Sequence, residues 1–152
     1  MRNANTNILV LLTAALLLSA CSLLDRSGNP LDALREAIAE TVVDEARAQA
    51  MLASLERSDQ LMLQSAKALA DGAEEQLALF VDYDSTPEAF QALYDKTSGA
   101  RRKFQQDLLQ EHINFKNMAT AEEWASLAGV HSRAVNARAE ALTRSALSAV
   151  KS

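Results

Sequence analysis

From Leu31 to Asp71 the chain contains neither glycine nor proline, and no other stretch constrains the fold as strongly. Glycine and proline are the two residues a helix interior tolerates worst, and this run is rich instead in Ala, Leu, Glu, Gln and Arg. Apolar residues fall at Leu31, Leu34, Ile38, Val42, Leu52, Leu55, Met62 and Leu69. The spacing is close to a heptad stripe, but Glu45 and Asp59 occupy stripe positions and Ala46, Ala48 and Ala66 are small. Such a stripe suits packing against neighbouring helices of a bundle better than a long autonomous coiled coil. The expectation is one long first helix, or two in near-continuity, with Asp71-Gly72 as a bend or stop.

The rest of the chain continues in the same idiom. Asn29-Pro30 supplies a capping side chain followed by proline at a first helical position. The apolar pattern resumes at Leu77, Leu79, Phe80 and Val81, and Asp82 to Thr86 reads as an acidic loop. Thr86-Pro87-Glu88 restarts a helix, with an acid in the first turn where the macrodipole favours it. Phe90, Leu93, Thr97, Ala100, Phe104, Leu108, Phe115 and Met118 keep helical spacing, and Gly99 implies a kink or the close approach of another helix. Thr120-Ala121-Glu122-Glu123 fits a capping box, and Trp124 and Leu127 open the next apolar face. Gly129 either ends that helix or sits within it. A weak stripe through Val130, Ala134, Val135, Ala141, Leu142 and Ala146 runs on to Ala149, and its small residues imply a fraying end. No alternating β-branched run follows residue 22, so the fold class is all-α: a small bundle or hairpin of three to five helices with a long first helix. Phe104, Phe115 and Trp124 belong to its core.

The amino-terminal stretch has a different character. Met1 to Asn7 is polar and carries Arg2; Ile8 to Leu18 is uncharged, with Thr13 its single polar member. That run is short of the ~20 residues a membrane-crossing helix needs, and it falls within the range of a secretory signal core. Ser19, Ala20 and then Cys21, the single cysteine of the chain, follow it. Leu18-Ser19-Ala20-Cys21 resembles the bacterial lipobox, Leu-(Ala/Ser)-(Gly/Ala)-Cys, at all four positions. The resemblance implies a diacylglyceryl group on the Cys21 sulfur, cleavage between Ala20 and Cys21, and acylation of the new amino terminus. Ser22 in place of Asp after the cysteine implies sorting to the outer membrane. Several acyl chains, each methylene contributing roughly 0.8 kcal/mol when buried, make a durable anchor where one chain does not. The implied organisation is a signal peptide over 1–20, a lipidated tether over 21–29 and a helical periplasmic domain over 30–152. Without a lipid, Cys21 would be a free or intermolecularly paired thiol.

Charge narrows the partners. The cleaved form has 14 basic and 20 acidic side chains, a balance of −6, which argues against nucleic acid and provides no polybasic segment for anionic lipid. The lipid anchor is then the membrane contact, and an envelope protein the expected partner; the long first helix also offers a face for a homodimer. Residues 30 to 98 hold 14 acids and 5 bases, residues 99 to 152 hold 5 and 8, so packing one half on the other is favourable in bulk. Arg101-Arg102-Lys103 is the one basic cluster, a solvent face or partner contact.

Catalytic patterns are missing from the sequence: it has no nucleophile elbow, phosphate loop, CxxC or HExxH. No catalytic residue, cofactor or metal is assigned, and the chain is expected to be no enzyme. A metal site could be drawn from Glu111, His112, Met118 and His131 only if two helices face each other, because no HxxxH, HxxxE or HxxxM pair exists. The lipidated helical plan and the Thr-x-Glu-Glu-Trp helix start at 120–124 resemble the Spy/CpxP group and the periplasmic heavy-metal-resistance proteins, hooked helical hairpins that act as envelope-stress chaperones or metal sensors. Residues 119–123 lack the Leu and Gln of that group's Leu-Thr-x-x-Gln repeat, and its metal ligands are missing, so no functional residue carries over. The expected function is binding or scaffolding in the envelope, with a Spy/CpxP-type sensor or holdase as the alternative.

Overall fold

A computed structural model describes residues 28 to 150, which form a small all-α bundle of four helices. They are α1 (Asp32–Thr41), α2 (Glu45–Val81), α3 (Pro87–Met118) and α4 (Ala121–Ala149). Ala20, Cys21 and the signal and tether segments up to residue 27 lie outside the described residues.

The stretch free of glycine and proline is divided, so the first described helix is short, 10 residues, and the long helix, 37 residues, is the second. The cause is local. Thr41, Val42 and Val43 are consecutive β-branched residues, whose side chains crowd the preceding turn of a helix. Asp44 follows in extended backbone, and its carboxylate accepts the Arg47 N–H at 2.9 Å, an N-cap that begins a new helix. Once begun, α2 runs through Asp71-Gly72 without a stop. Asn29 lies ahead of the helix it was expected to cap: its Oδ1 accepts the Leu31 N–H at 3.0 Å, and regular helix starts at Asp32.

The other boundaries follow their sequence signals. Thr86 Oγ1 accepts the Ala89 N–H at 3.3 Å ahead of Pro87, and the loop before it is held by Asp82 Oδ1 accepting the Asp84 N–H at 3.1 Å. Thr120 and Glu123 form the reciprocal capping box, with bonds of 3.2 and 2.8 Å. Gly129 lies within α4, which is helical to Ala149.

The long second helix is the common partner. Ser54 and Glu75 of α2 meet Glu111 and Lys96 of α3, so α3 runs antiparallel to α2. Arg47 and Asp59 meet Glu123 and Arg138, so α4 runs parallel to it. α1 packs on α4 and on the start of α2. Leu31, Leu34, Ile38, Met51, Leu55, Met62, Phe115 and Leu127 form the core at this end, with Phe104 and Trp124 half-buried against it. Beyond Met62 the character changes. No described residue from 63 to 114 is buried. The last five turns of α2, roughly 28 Å at 1.5 Å per residue, pair with the first turns of α3 as a two-helix arm.

The close approach expected of Gly99 occurs instead at Gly72, which was read as a bend or stop. A Cβ on Gly99 would meet nothing within 4 Å, whereas one on Gly72 would lie 3.1 Å from Thr97 Cγ2. Thr97 cannot easily turn that methyl away, because its hydroxyl donates to the Leu93 carbonyl at 2.9 Å. Gly99→Ala should therefore stabilise the protein by about 1 kcal/mol through helix propensity. Gly72→Ala should gain less or lose, and adding Thr97→Ser, which keeps the hydroxyl and removes the methyl, should restore most of the gain. Urea unfolding midpoints of the three variants test this.

Candidate interaction surface

Three polar ties fix the bundle end of α2 to its neighbours. Arg47 donates to both Glu123 oxygens, at 2.5 and 3.0 Å, and to the Met118 carbonyl at 3.2 Å. Glu123 thus serves the α4 cap and the α2 guanidinium together, and the Arg47 hydrogen bond, then the Thr120 N–H, hold its carboxyl below the ordinary range. Ser54, fully buried, donates to Glu111 Oε2 at 2.7 Å, and Arg57 Nε donates to Oε1 at 3.1 Å. Burial alone would raise the Glu111 carboxyl, but the bonds from Arg57 and Ser54 outweigh it and bring it down. Asp59, on the apolar stripe of α2, is buried and takes a two-pronged bond from Arg138, 2.6 and 3.2 Å.

Of the four residues from which a metal site could be drawn, this arrangement turns Glu111 to α2 and brings the two histidines together. Glu111 faces α2, and the Met118 backbone is engaged by Arg47. The histidines do meet, with ring centroids 5.0 Å apart, inside an aromatic group with Phe115 and Trp124. Among the described residues no three His, Cys, Asp or Glu side chains converge as metal ligands would. His131 is 8% exposed, and burial, with the neighbouring His112 second, pushes its pKa down to about 4. It is neutral at pH 7. The two rings edge an open cleft of about 300 Å³ between α3 and α4, with Ser58 of α2 also lining it.

The larger concavity lies in the arm. Along one side of the α2–α3 seam, Ala68, Gly72, Ala73 and Ala100 leave room that larger residues would fill, and Leu69, Phe90, Tyr94 and Phe104 line a groove of about 540 Å³. At the tip Leu77, Phe80, Val81, Tyr83 and Tyr94 are all at least half exposed, Tyr83 completely. Phe80 stacks at 5.3 Å on Phe90, which fixes its place without covering it. Exposed apolar side chains gathered at one place make this end the candidate interaction surface. It is also acidic: residues 71 to 95 carry seven acids (Asp71, Glu74, Glu75, Asp82, Asp84, Glu88, Asp95) and no lysine or arginine. Arg101 borders the groove at its lower end, while Lys103 is taken up by Asp107 at 2.5 Å.

Sequence reading placed Phe104, Phe115 and Trp124 in the core; Phe115 is buried there, while Trp124 and Phe104 are half-buried against it and Phe104 also lines the groove. It did not single out the arm. A signal was present in the acid-only run from 71 to 95 interleaved with Leu77, Phe80, Tyr83 and Tyr94. No helix among the described residues is long and apolar enough to cross a membrane. No family model, curated protein or solved structure matches the chain.

The buried imidazole makes stability depend on pH in a defined window. Unfolded His131 takes up a proton near its ordinary 6.5, whereas the folded ring resists protonation down to about 4. Its contribution is complete above pH 6.5 and is lost as pH falls toward 4, on the order of 2 kcal/mol between pH 6.5 and 5. Urea midpoints measured across that interval should fall in the native chain and stay nearly level in His131→Leu. An equal slope in both would assign the effect elsewhere.

Proposed function

We propose that the protein is an outer-membrane lipoprotein, held in the periplasm by Cys21, that acts as a non-enzymatic binding or scaffolding module. The lipobox-like Leu18-Ser19-Ala20-Cys21 supports the anchor, and the exposed arm supports the binding role. The observation that carries the reading is the division of labour along α2. One end is closed by α1, α4 and three polar ties; the other presents aromatic side chains to solvent. A tether after Cys21 leads into α1, at the closed end, so attachment and recognition would occupy different parts of the chain.

The same exposed aromatics support a second reading, a holdase of the Spy/CpxP type. The two differ in selectivity: a holdase suppresses aggregation of an unrelated unfolded protein at equal molar ratio, and a dedicated binding module does not.

Labelled palmitate should be incorporated by the native chain and not by Cys21→Ser, and that variant should move from the membrane to the soluble fraction. Label-free native protein, or an unchanged distribution of the variant, would remove the anchor from the proposal. Light scattering of a denatured client with the purified full chain then decides between module and holdase.

A further inference from the structure

The groove on the arm is a continuation of a seam already used by the molecule itself. On α2, Ser58 faces the α4 side chains His131 and Val135 across the cleft. From Ser58 the helical repeat leads to Ser65, Leu69, Gly72 and Gln76, all of which line the arm groove. On α3, Gln105 borders both concavities, and Arg101, Thr97 and Phe90 carry the same face to the tip. Positions three and four apart share one face of a helix, so the faces that accept α4 in the bundle extend, uncovered, along the arm. Among the described residues no third helix covers the arm.

Charge selects among candidate occupants. Asp71 is engaged by Lys67 at 2.8 Å and Glu75 by Lys96 at 2.5 Å. Glu74, Asp84 and Glu88 have no ion pair among the described residues, and they lie toward the loop between α2 and α3. Two copies meeting tip to tip would bring these acids together, and an anionic bilayer would repel them. A cationic partner meets neither obstacle.

We propose that the uncovered α2–α3 seam of the arm binds one amphipathic helix of another protein, apolar toward Leu69, Phe90 and Tyr94 and basic at the end beside the 82–86 loop. The inference rests on the reading of the arm as a binding surface and adds the chemistry of what it binds. The partner helix extends the three-helix packing of the bundle end: apolar contact supplies the affinity, and the acidic tip fixes direction and excludes acidic competitors.

The test uses the full lipidated chain in nanodiscs of zwitterionic lipid, with photoreactive benzoylphenylalanine replacing Tyr94. Three fluorescent peptides of equal length share one leucine face and carry lysine, serine or glutamate on the other. The lysine peptide should crosslink with half-saturation at about tenfold lower concentration than the glutamate peptide, the serine peptide falling between. That order should invert in the variant Glu74→Lys, Asp84→Lys, Glu88→Lys, with circular dichroism confirming that it folds. Equal crosslinking by all three peptides would overturn the proposed chemistry and leave the arm as a binding surface. Crosslinking by none would overturn the reading of the arm itself. Crosslinks between copies of the chain, or to the disc lipid, would replace the proposed partner with a second copy or a membrane.

Discussion

Leu31, Leu34 and Ile38, three residues of one short segment with no exposed surface, close the end of the molecule where α2 and α4 begin. α1 is too short to be a stable helix alone, since isolated helices of this length are marginal in water. Its helicity depends on burying that face. In return it covers apolar surface on both α2 and α4, and full burial of a leucine or isoleucine side chain contributes roughly 1.5–3 kcal/mol. The break at Val42–Asp44 is what allows this. A straight continuation of α1 into α2 would carry those three side chains away from α4, and the bundle end would be open.

Bulk charge and specific pairing give different accounts of how the two halves of the chain hold together. The first half is acidic and the second basic, which favours their association at long range. Yet Arg47–Glu123 and Arg57–Glu111 place the base on the acidic half and the acid on the basic half. Only Asp59–Arg138, of the three ties at the bundle end, follows the bulk sign. Position within the bundle decides: a guanidinium at Arg47 can reach a carboxylate already fixed by the α4 cap, so ordering the pair costs less side-chain entropy than ordering two free chains. Asp59 and Arg138 are different in kind, since removing either leaves the other largely buried and uncompensated. Losing one partner would therefore cost more than the intact pair contributes.

Much of the fold was legible because its signals are local. Thr86-Pro87 and Thr120-x-x-Glu123 satisfy their own helix ends and need no tertiary partner, so the sequence positions of those boundaries were secure. Apolar periodicity likewise identified Leu31, Leu34, Ile38, Leu55 and Met62 as core. Two helices in near-continuity was one of the readings, but the place of the break was not legible because each residue of Thr41-Val42-Val43-Asp44 is tolerable in a helix; only as a β-branched run feeding a capping aspartate do they stop one. The close approach at Gly72 was not legible because glycine spacing says nothing about what faces it, and Thr97 lies on another helix. Burial of Ser54 and His131 was invisible for the same reason, and Asp59, although on the apolar stripe, gave no sign of what would pair with it. Their partners, Glu111, Arg138 and His112, are brought to them by the packing of three helices and by no feature of adjacent sequence. The lipobox-like stretch is the reverse case, explicit in sequence and outside the described structure.

The arm raises a question of its own: why two helices with no buried residue between 63 and 114 should hold their shape. Helix formation is limited by nucleation, and both α2 and α3 are nucleated and fixed in the bundle, where Leu55, Met62 and Phe115 are buried. The arm only propagates them, one hydrogen bond for each residue ordered. Contacts such as Gly72 against Thr97, Glu75 with Lys96 and Phe80 on Phe90 need only keep two helices side by side. Freed from supplying its own core, the arm can carry apolar side chains on its outer face that a self-sufficient hairpin would have to bury. The same logic predicts where disorder begins: opening should start at the 82–86 loop and move toward Met62, because stability along α2 falls with distance from the buried end. A partner that covers the seam would reverse that gradient, so binding and local folding of the arm are one equilibrium.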